Sequence, residues 1–280
     1  MKNSIYTCLW FEDQAEAAAN FYCSVFKNSK ITFKNRWLVN FELNGQKFMC
    51  LNGDTKFKIN PSISFFVVCE TVAEVDEIWN KLLDSGSVLM PIDKYEWSER
   101  YGWLQDRYGV NWQLSFGKIK DVGQKFTPTL MFVKEKAGKA EEAIQFYTSI
   151  FNNSSTIGIM RYSAEDQDIE GYIKHAQFTL DSHVFMAMDS SAEHNFSFNE
   201  AVSIVVECEN QEKIDYFWSK LTGEGGKEGV CGWLKDKFGV SWQIVPSILG
   251  ELMANPDRAE RVIQAVMQMK KLDITKMENA

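Results

Sequence analysis

The stretch "GWLQDRYGVNWQL" occupies Gly102–Leu114, and "GWLKDKFGVSWQI" occupies Gly232–Ile244. Eight of the thirteen aligned positions are identical, and the rest are mild exchanges such as Tyr108 for Phe238. Three more blocks recur in the same order. "AAANFYCSVFKNSKI" (17–31) parallels "EAIQFYTSIFNNSSTI" (142–157), "FELNGQKFMCLNG" (41–53) parallels "FTLDSHVFMAMDS" (178–190), and "SFFVVCETVAEVDEIWNKL" (64–82) parallels "SIVVECENQEKIDYFWSKL" (203–221). Four ordered matches make the chain a tandem repeat. Its two domains are expected over 1–118 and 126–280, joined at the polar stretch "GKIKDVGQK" (117–125). One difference breaks the match: "SVLMPIDKYEWSERY" (87–101) in the first half stands where the second has only "GEGGKEGV" (223–230).

Composition narrows the class. A length of 280 residues allows a substantial core in one or two domains. The net charge of −8, with no cluster of Lys and Arg, argues against nucleic acid as a partner. No apolar run approaches the roughly 18 residues of a membrane span, so no membrane partner is expected. The opening "MKNSIYTCLWFEDQ" has no long apolar secretory core. The six cysteines show no C-x-x-C and no framework spacing, which fits reduced, buried thiols in a cytoplasmic protein.

Periodicity assigns the elements. "IYTCLWF" reads as a strand, and "DQAEAAANFYCSVF" as a helix with Ala18, Phe21, Tyr22, Val25 and Phe26 on one stripe. "WLVNFEL" and "QKFMCLN" form a hairpin about Asn44-Gly45, a dipeptide suited to a type I′ turn. "SISFFVVCE" is a strand buried on both faces. "TVAEVDEIWNKLL" is a helix with Val72, Val75, Ile78, Trp79 and Leu82 inward, and "VLMPI", "YGWLQD" and "VNWQLSF" are strands again. Four βαβββ units therefore make up an α+β chain. Beyond Pro246, "NPDRAERVIQAVMQMKK" adds a docking helix with N-cap Asn255, Pro256 in the first helical position, and Val262, Ala265, Val266 and Met269 as its apolar stripe. Alternation in "GVNWQLSF" sends Val110, Trp112, Leu114 and Phe116 under the helices, and Asn111, Gln113 and Ser115 to the opposite face. Ser241 and Gln243 repeat that polar side.

The doubled βαβββ pattern, the "FY-S-F" late in the first helix, the "D-x-aromatic-G-V-x-W-Q" hairpin and the tail "WQIVPSILGELMANPDRAERVIQAVMQM" resemble the PhnB-like branch of the glyoxalase/bleomycin-resistance/dioxygenase (vicinal oxygen chelate) superfamily. That branch carries the label "3-demethylubiquinone-9 3-methyltransferase-like". The resemblance implies two glyoxalase-like domains with curved mixed sheets and a ligand or metal inside each cup. It places metal ligands at positions matching Tyr6, Cys50, Ser64 and Gln113 in the first half, and Thr127, Ala187, Ser203 and Gln243 in the second. Neither set contains a histidine or a carboxylate, the groups that offset a cation's dehydration. His175, His183 and His194 lack a carboxylate at helical spacing, and Cys50 has only Cys8 as a thiol partner, so no metal and no other cofactor is expected.

By alternation the first-half cup is lined by Tyr6, Cys8, Trp10, Phe48, Cys50, Asn52, Ser64, Phe66 and Gln113, with Gln243 as the counterpart in the second half. This aromatic lining with a few polar groups suits a small aromatic or amphipathic molecule. "DKYEWSERYGW" (93–103) reads either as a lid, with Glu99 as a base beside Arg100, or more simply as an edge strand. The leading expectation is a small-molecule binding protein. The alternative is a glyoxalase-type lyase, isomerase or dioxygenase with displaced metal ligands. The methyltransferase label finds no support, since the first strand runs into "EDQAEAAA" without the glycine-rich turn that usually cradles a methyl donor. The fused halves are expected to form within one chain the contact that single-copy relatives make as dimers, compatible with a monomer.

Overall fold

Each quarter of the chain folds as strand, helix and three strands, in a computed structural model that describes residues 4–54 and 56–280. The first unit is β1 (Ile5–Phe11), α1 (Ala15–Val25), β2 (Ser29–Lys34), β3 (Leu38–Leu43) and β4 (Gln46–Asn52). The second is β5 (Ile63–Cys69), α2 (Val72–Leu83), β6 (Ser87–Tyr95), β7 (Ser98–Gln105) and β8 (Asn111–Phe116), followed by a single turn, α3 (Ile119–Val122). The third is β9 (Phe126–Phe132), α4 (Ala140–Ile150), β10 (Ser155–Arg161), β11 (Ile173–Leu180) and β12 (His183–Asp189). The fourth is β13 (Val202–Cys208), α5 (Gln211–Thr222), β14 (Lys227–Glu228), β15 (Trp233–Lys235) and β16 (Ser241–Pro246). The tail forms α6 (Leu249–Ala254), α7 (Pro256–Met267) and α8 (Ile274–Glu278). Among the described residues no helix is long and apolar enough to cross a membrane.

Local chemistry explains the helix starts and the turn. Thr71 accepts from the Glu74 amide (3.1 Å) and Asn210 from the Lys213 amide (2.9 Å), each an ordinary N-cap. Neither α1 nor α4 has a side-chain cap of its own. Their first amides are met instead from the strands: Asn52 accepts from Ala15 N (2.9 Å), and its counterpart Asp189 from Ala140 N (3.1 Å). The β3–β4 turn places Asn44 and Gly45 at φ +50° and +78°, the double left-handed conformation of a type I′ turn.

Contacts divide the chain into two bodies, residues 4–8 with Ser203–Ala280, and Leu9–Val202. The larger body contains an eight-stranded mixed sheet in the order β10-β11-β12-β9-β5-β8-β7-β6. At its centre β5 runs antiparallel to β9, with Ser64 opposite Thr129 and Phe66 opposite Thr127, and parallel to β8, with Phe66 opposite Gln113. Strands from both sides of the 117–125 seam thus share one sheet. The division into 1–118 and 126–280 marks the repeat in sequence, and in space the second unit pairs with the third. Strands β2, β3 and β4 form an antiparallel ribbon in the same body. The smaller body carries β14-β15-β16-β13.

The helix-side core of the larger body is aromatic. Trp112, fully buried, has ring centroids of Tyr22 at 5.4 Å, Phe26 at 5.1 Å and Phe65 at 5.2 Å. Ala18, Ala19, Tyr22 and Val25 bury the α1 stripe; Val75, Ile78, Trp79 and Leu82 bury that of α2, while Val72, in the first turn, stays exposed. Gly102 belongs to this arrangement, because a Cβ there would lie 2.5 Å from the Trp79 ring.

In the second half the strand matching β6 is only the two-residue β14, and the tail covers the residues beyond it. In the first half β6 pairs with β7, with Asp93 opposite Tyr101 and Met90 opposite Trp103. In the second half the matching residues Cys231 and Gly232 donate their amides to Met269 O (2.7 Å) and Lys270 O (2.8 Å). Leu252, Val262, Met269, Leu272 and Met277 form the apolar cluster that holds the tail in place. The segment expected as lid or edge strand is a hairpin of the sheet: its start belongs to β6, the edge strand, and Ser98–Trp103 to β7, which lies between β6 and β8.

The repeated aspartate explains the repeated hairpin. Asp106 Oδ1 accepts from the amides of Tyr108 (2.8 Å) and Val110 (3.0 Å), and Oδ2 from Trp112 Nε1 (2.8 Å). Asp236 makes the same three bonds to Phe238, Val240 and Trp242. Burial pushes the Asp106 carboxyl from its ordinary 3.8 up to about 6, against the pull of these donors. A raised folded-state value means its stabilising contribution is complete below pH ~4 and is lost as pH climbs through 6. The expected loss is at most about 3 kcal/mol. Denaturant midpoints taken at pH 4, 5, 6 and 7 should fall along that series and fall less in Asp106→Asn; equal slopes would contradict the assignment.

Candidate functional site

Gln113 turns away from the aromatic core, as alternation requires, into a buried polar network. It is 4% exposed. Its Nε2 donates to Ser64 Oγ (2.8 Å) and its Oε1 accepts from Tyr101 OH (2.8 Å). Burial raises the Tyr101 pKa, so the phenol keeps its proton and acts as a donor. Cross-strand register sets a row of residues on this face: Thr127, Phe66, Gln113 and Trp103. The next row pairs Ser64 with Thr129 and Thr129 with Met186, and Met131 lies opposite Met188 beyond it. Trp103, Met131 and Val133 form a buried cluster against which Met90, Met188 and Phe196 pack. Phe196 also lines a groove of about 840 Å³ with Lys134 and residues 191–195, so cluster and groove share a wall. Three buried polar atoms on this face have no hydrogen-bond partner among the described residues: Trp103 Nε1 and Thr127 Oγ1 in the Gln113 row, and Asn111 Oδ1 one row away, opposite Gln105.

The donor set does not fit a divalent cation. The face offers hydroxyls, an amide and an indole, all neutral, and thioethers that suit only soft ions. His175 reaches the same face, two residues from Gln177, which lies opposite Met186, but burial lowers its pKa and keeps the ring neutral. Among the described residues no three His, Cys, Asp or Glu side chains are grouped so as to hold a metal ion. The smaller body repeats part of the network with different chemistry. Gln243 Nε2 donates to Ser203 Oγ (2.9 Å), Tyr6 OH donates to Glu207 Oε1 (3.0 Å), and Trp233 stands opposite Gln243. Burial pushes the Cys8 thiol up to about 12 despite hydrogen bonds with Gln243 and Ser203, so it is no thiolate at neutral pH. Cys231 fills the sequence position that Tyr101 holds in the first copy.

The residues expected in one cup are dispersed. Ser64, Phe66 and Gln113 lie together, whereas Tyr6 and Cys8 belong to the Gln243 network. Phe48 and Cys50 are corrected to the helix-side core: Phe48 stacks on Phe41 (5.5 Å) and meets Phe65 (5.5 Å), and Cys50 lies opposite Val39, on the same side as Phe48. "QKFMCLN" is apolar on both faces, so alternation alone had no polar marker to fix its register. Asn52 caps α1. Trp10 donates to the Asp54 carbonyl (2.9 Å), meets Phe57 edge-on at 6.0 Å, and lines a separate cleft of about 300 Å³ with Tyr108 and Gln105. Arg100 faces α2, where it pairs with Asp76 at 2.7 Å, and is thereby removed from catalysis on the Gln113 face; Glu99 is exposed on β7. The residues missed were Tyr101, Trp103, Thr129, Met131, Met186 and Met188. The first two were readable, because a hairpin closed at Asp106–Gly109 puts Trp103 opposite Gln113.

Comparison with known proteins bears on this site. The family model described as 3-demethylubiquinone-9 3-methyltransferase matches residues 3–115 and again 124–245, one copy for each half. The chain belongs to that family. A solved structure described as a putative 3-demethylubiquinone-9 3-methyltransferase, PhnB protein, from Bacillus cereus is 40% identical; the match covers 40% of this chain and 98% of that one, with a TM-score of 0.39. Glyoxalase I from Zea mays is similar over 90% of this chain and 95% of its own, at 13% identity and a TM-score of 0.59, which speaks for the glyoxalase fold alone. No curated protein matches the chain. The family membership leaves the network around Gln113 to be tested directly. Gln113→Leu should strand the Tyr101 and Ser64 hydroxyls and lower the unfolding free energy by about 2–5 kcal/mol. The all-apolar triple variant with Tyr101→Phe and Ser64→Ala should recover more than half of that loss in urea titrations; no recovery would mean that packing, not polar satisfaction, governs the site.

Proposed function

We propose that this family member binds a small aromatic or amphipathic molecule at the Gln113 face of the eight-stranded sheet, without a metal ion. The observation that carries the reading is the neutral network in which Gln113 and Ser64, two of the positions where the resemblance puts metal ligands, bond to each other and Gln113 accepts from Tyr101. The surrounding methionines adapt to an irregular apolar ligand, and the groove beside Phe196 supplies an approach. The methyltransferase description finds no supporting site in the β1–α1 connection. There, Glu12, Asp13 and Gln14 offer two carboxylates and no glycine amides to a nucleotide-like methyl donor. Occupancy of the Gln113 site by one molecule per chain, with the Gln243 network unoccupied, follows from the different partners of the two glutamines.

Two measurements test this reading. Thermal denaturation with excess Mg²⁺, Mn²⁺, Ni²⁺ or Zn²⁺ should leave the midpoint within about 1 °C of the untreated protein, since stabilisation grows with the logarithm of ligand over Kd. A reproducible rise with one ion would favour the glyoxalase-type enzyme instead. Calorimetry with S-adenosylmethionine should show no heat of binding, and micromolar affinity would restore the methyltransferase reading.

A further inference from the structure

We infer that the molecule bound at the Gln113 face is an uncharged carbonyl compound with an apolar body, rather than a carboxylate, a phosphate or a plain hydrocarbon. The inference rests on the binding reading above and adds the chemical class of the ligand. Trp103 is 9% exposed and Thr127 fully buried, yet Trp103 Nε1 and Thr127 Oγ1 find no partner among the described residues. Nearly all buried polar groups in folded proteins are paired, so two orphans in one cross-strand row call for an explanation. The indole N–H only donates and therefore calls for an acceptor. The threonine hydroxyl can supply a second donor. The Gln113 amide spends one N–H on Ser64 and one lone pair on Tyr101, and Asn111 Oδ1, also unpartnered, lies one row away; in the Gln113 row the two orphans are the groups with no partner at all.

Charge excludes the anionic acceptors. The rows around Gln113 carry no Lys or Arg, and Arg100 is turned to the other face of the sheet by Asp76. His175 is kept neutral by burial. An acid moved into these rows would give up its hydration with no cation among them to compensate it, since Lys134 lines only the adjoining groove. A carbonyl oxygen loses far less on desolvation and accepts from an indole directly. Phe66 lies between the two orphans in the row, with Met131, Met186 and Met188 alongside, and these would hold the apolar remainder.

A matched series sharing one ring system separates the possibilities: 2-acetonaphthone, 2-ethylnaphthalene and 2-naphthoate. Binding is located by the methyl resonances of Met131, Met186 and Met188 in protein labelled at the methionine methyls, and affinities come from the same titrations. The ketone should bind at least about tenfold more tightly than either companion, and Trp103→Phe should bring it down to the level of the hydrocarbon. If all three move these resonances with equal affinity, or the naphthoate binds most tightly, the carbonyl inference fails and the binding site stands. If none moves them, both fail. A ligand-free measurement guards against a variant that misfolds: Thr127→Val removes an unpaired buried hydroxyl, so the melting temperature of the free protein should rise by about 2–4 °C. A fall would show that the hydroxyl already has a partner, and would overturn the inference.

Discussion

The bond from a buried aspartate to the indole two strand residues past a tight turn organises everything else in each half. Asp106 and Asp236 each gather two backbone amides and one tryptophan N–H, satisfying three donors that a buried turn would otherwise strand. Fixing the tryptophan on the helix side fixes the phase of the whole strand. A one-residue slip would send Trp112 to the polar face and Gln113 into the aromatic core. The glutamine is therefore placed by the aspartate seven residues before it, through the ring in between.

That phase gives the sheet of the larger body two unlike faces. One is packed with Trp112, Phe65 and the α1 aromatics, where burial is non-directional and tolerant. The other holds a glutamine, a serine and a tyrosine joined by directional hydrogen bonds. Low dielectric strengthens such a network and penalises any missing member. It also explains why the face accommodates neutral molecules better than ions, because none of its groups carries a compensating charge.

The two halves diverged where their edges are protected. The first half covers β7 with its own strand, β6. In the second half that strand is the short β14, and the residues just before β15, Cys231 and Gly232, are covered by the carbonyls of Met269 and Lys270, brought there by a tail packed through Leu272 and Met277. An uncovered strand edge invites association with other chains, so one cover had to replace the other. Cys231 stands where Tyr101 does in the first half, so the second half has no phenol at that position and the two glutamines sit in different chemical settings.

The sequence alone determined the four βαβββ units, the type I′ turn at Asn44-Gly45, the strand phase of Trp112 and Gln113, and the docking of the tail. All are written in short-range periodicity and in turn residues with few allowed conformations. It did not determine which units share a sheet, because pairing the second unit with the third or with the first exposes the same alternation. It misplaced Phe48 and Cys50, because an apolar strand reads alike in either register until a cross-strand neighbour such as Phe41 chooses the face. Only the tertiary structure brought Thr127 and Trp103 into one row with Gln113, since that row is assembled by strand pairing between residues far apart in the chain.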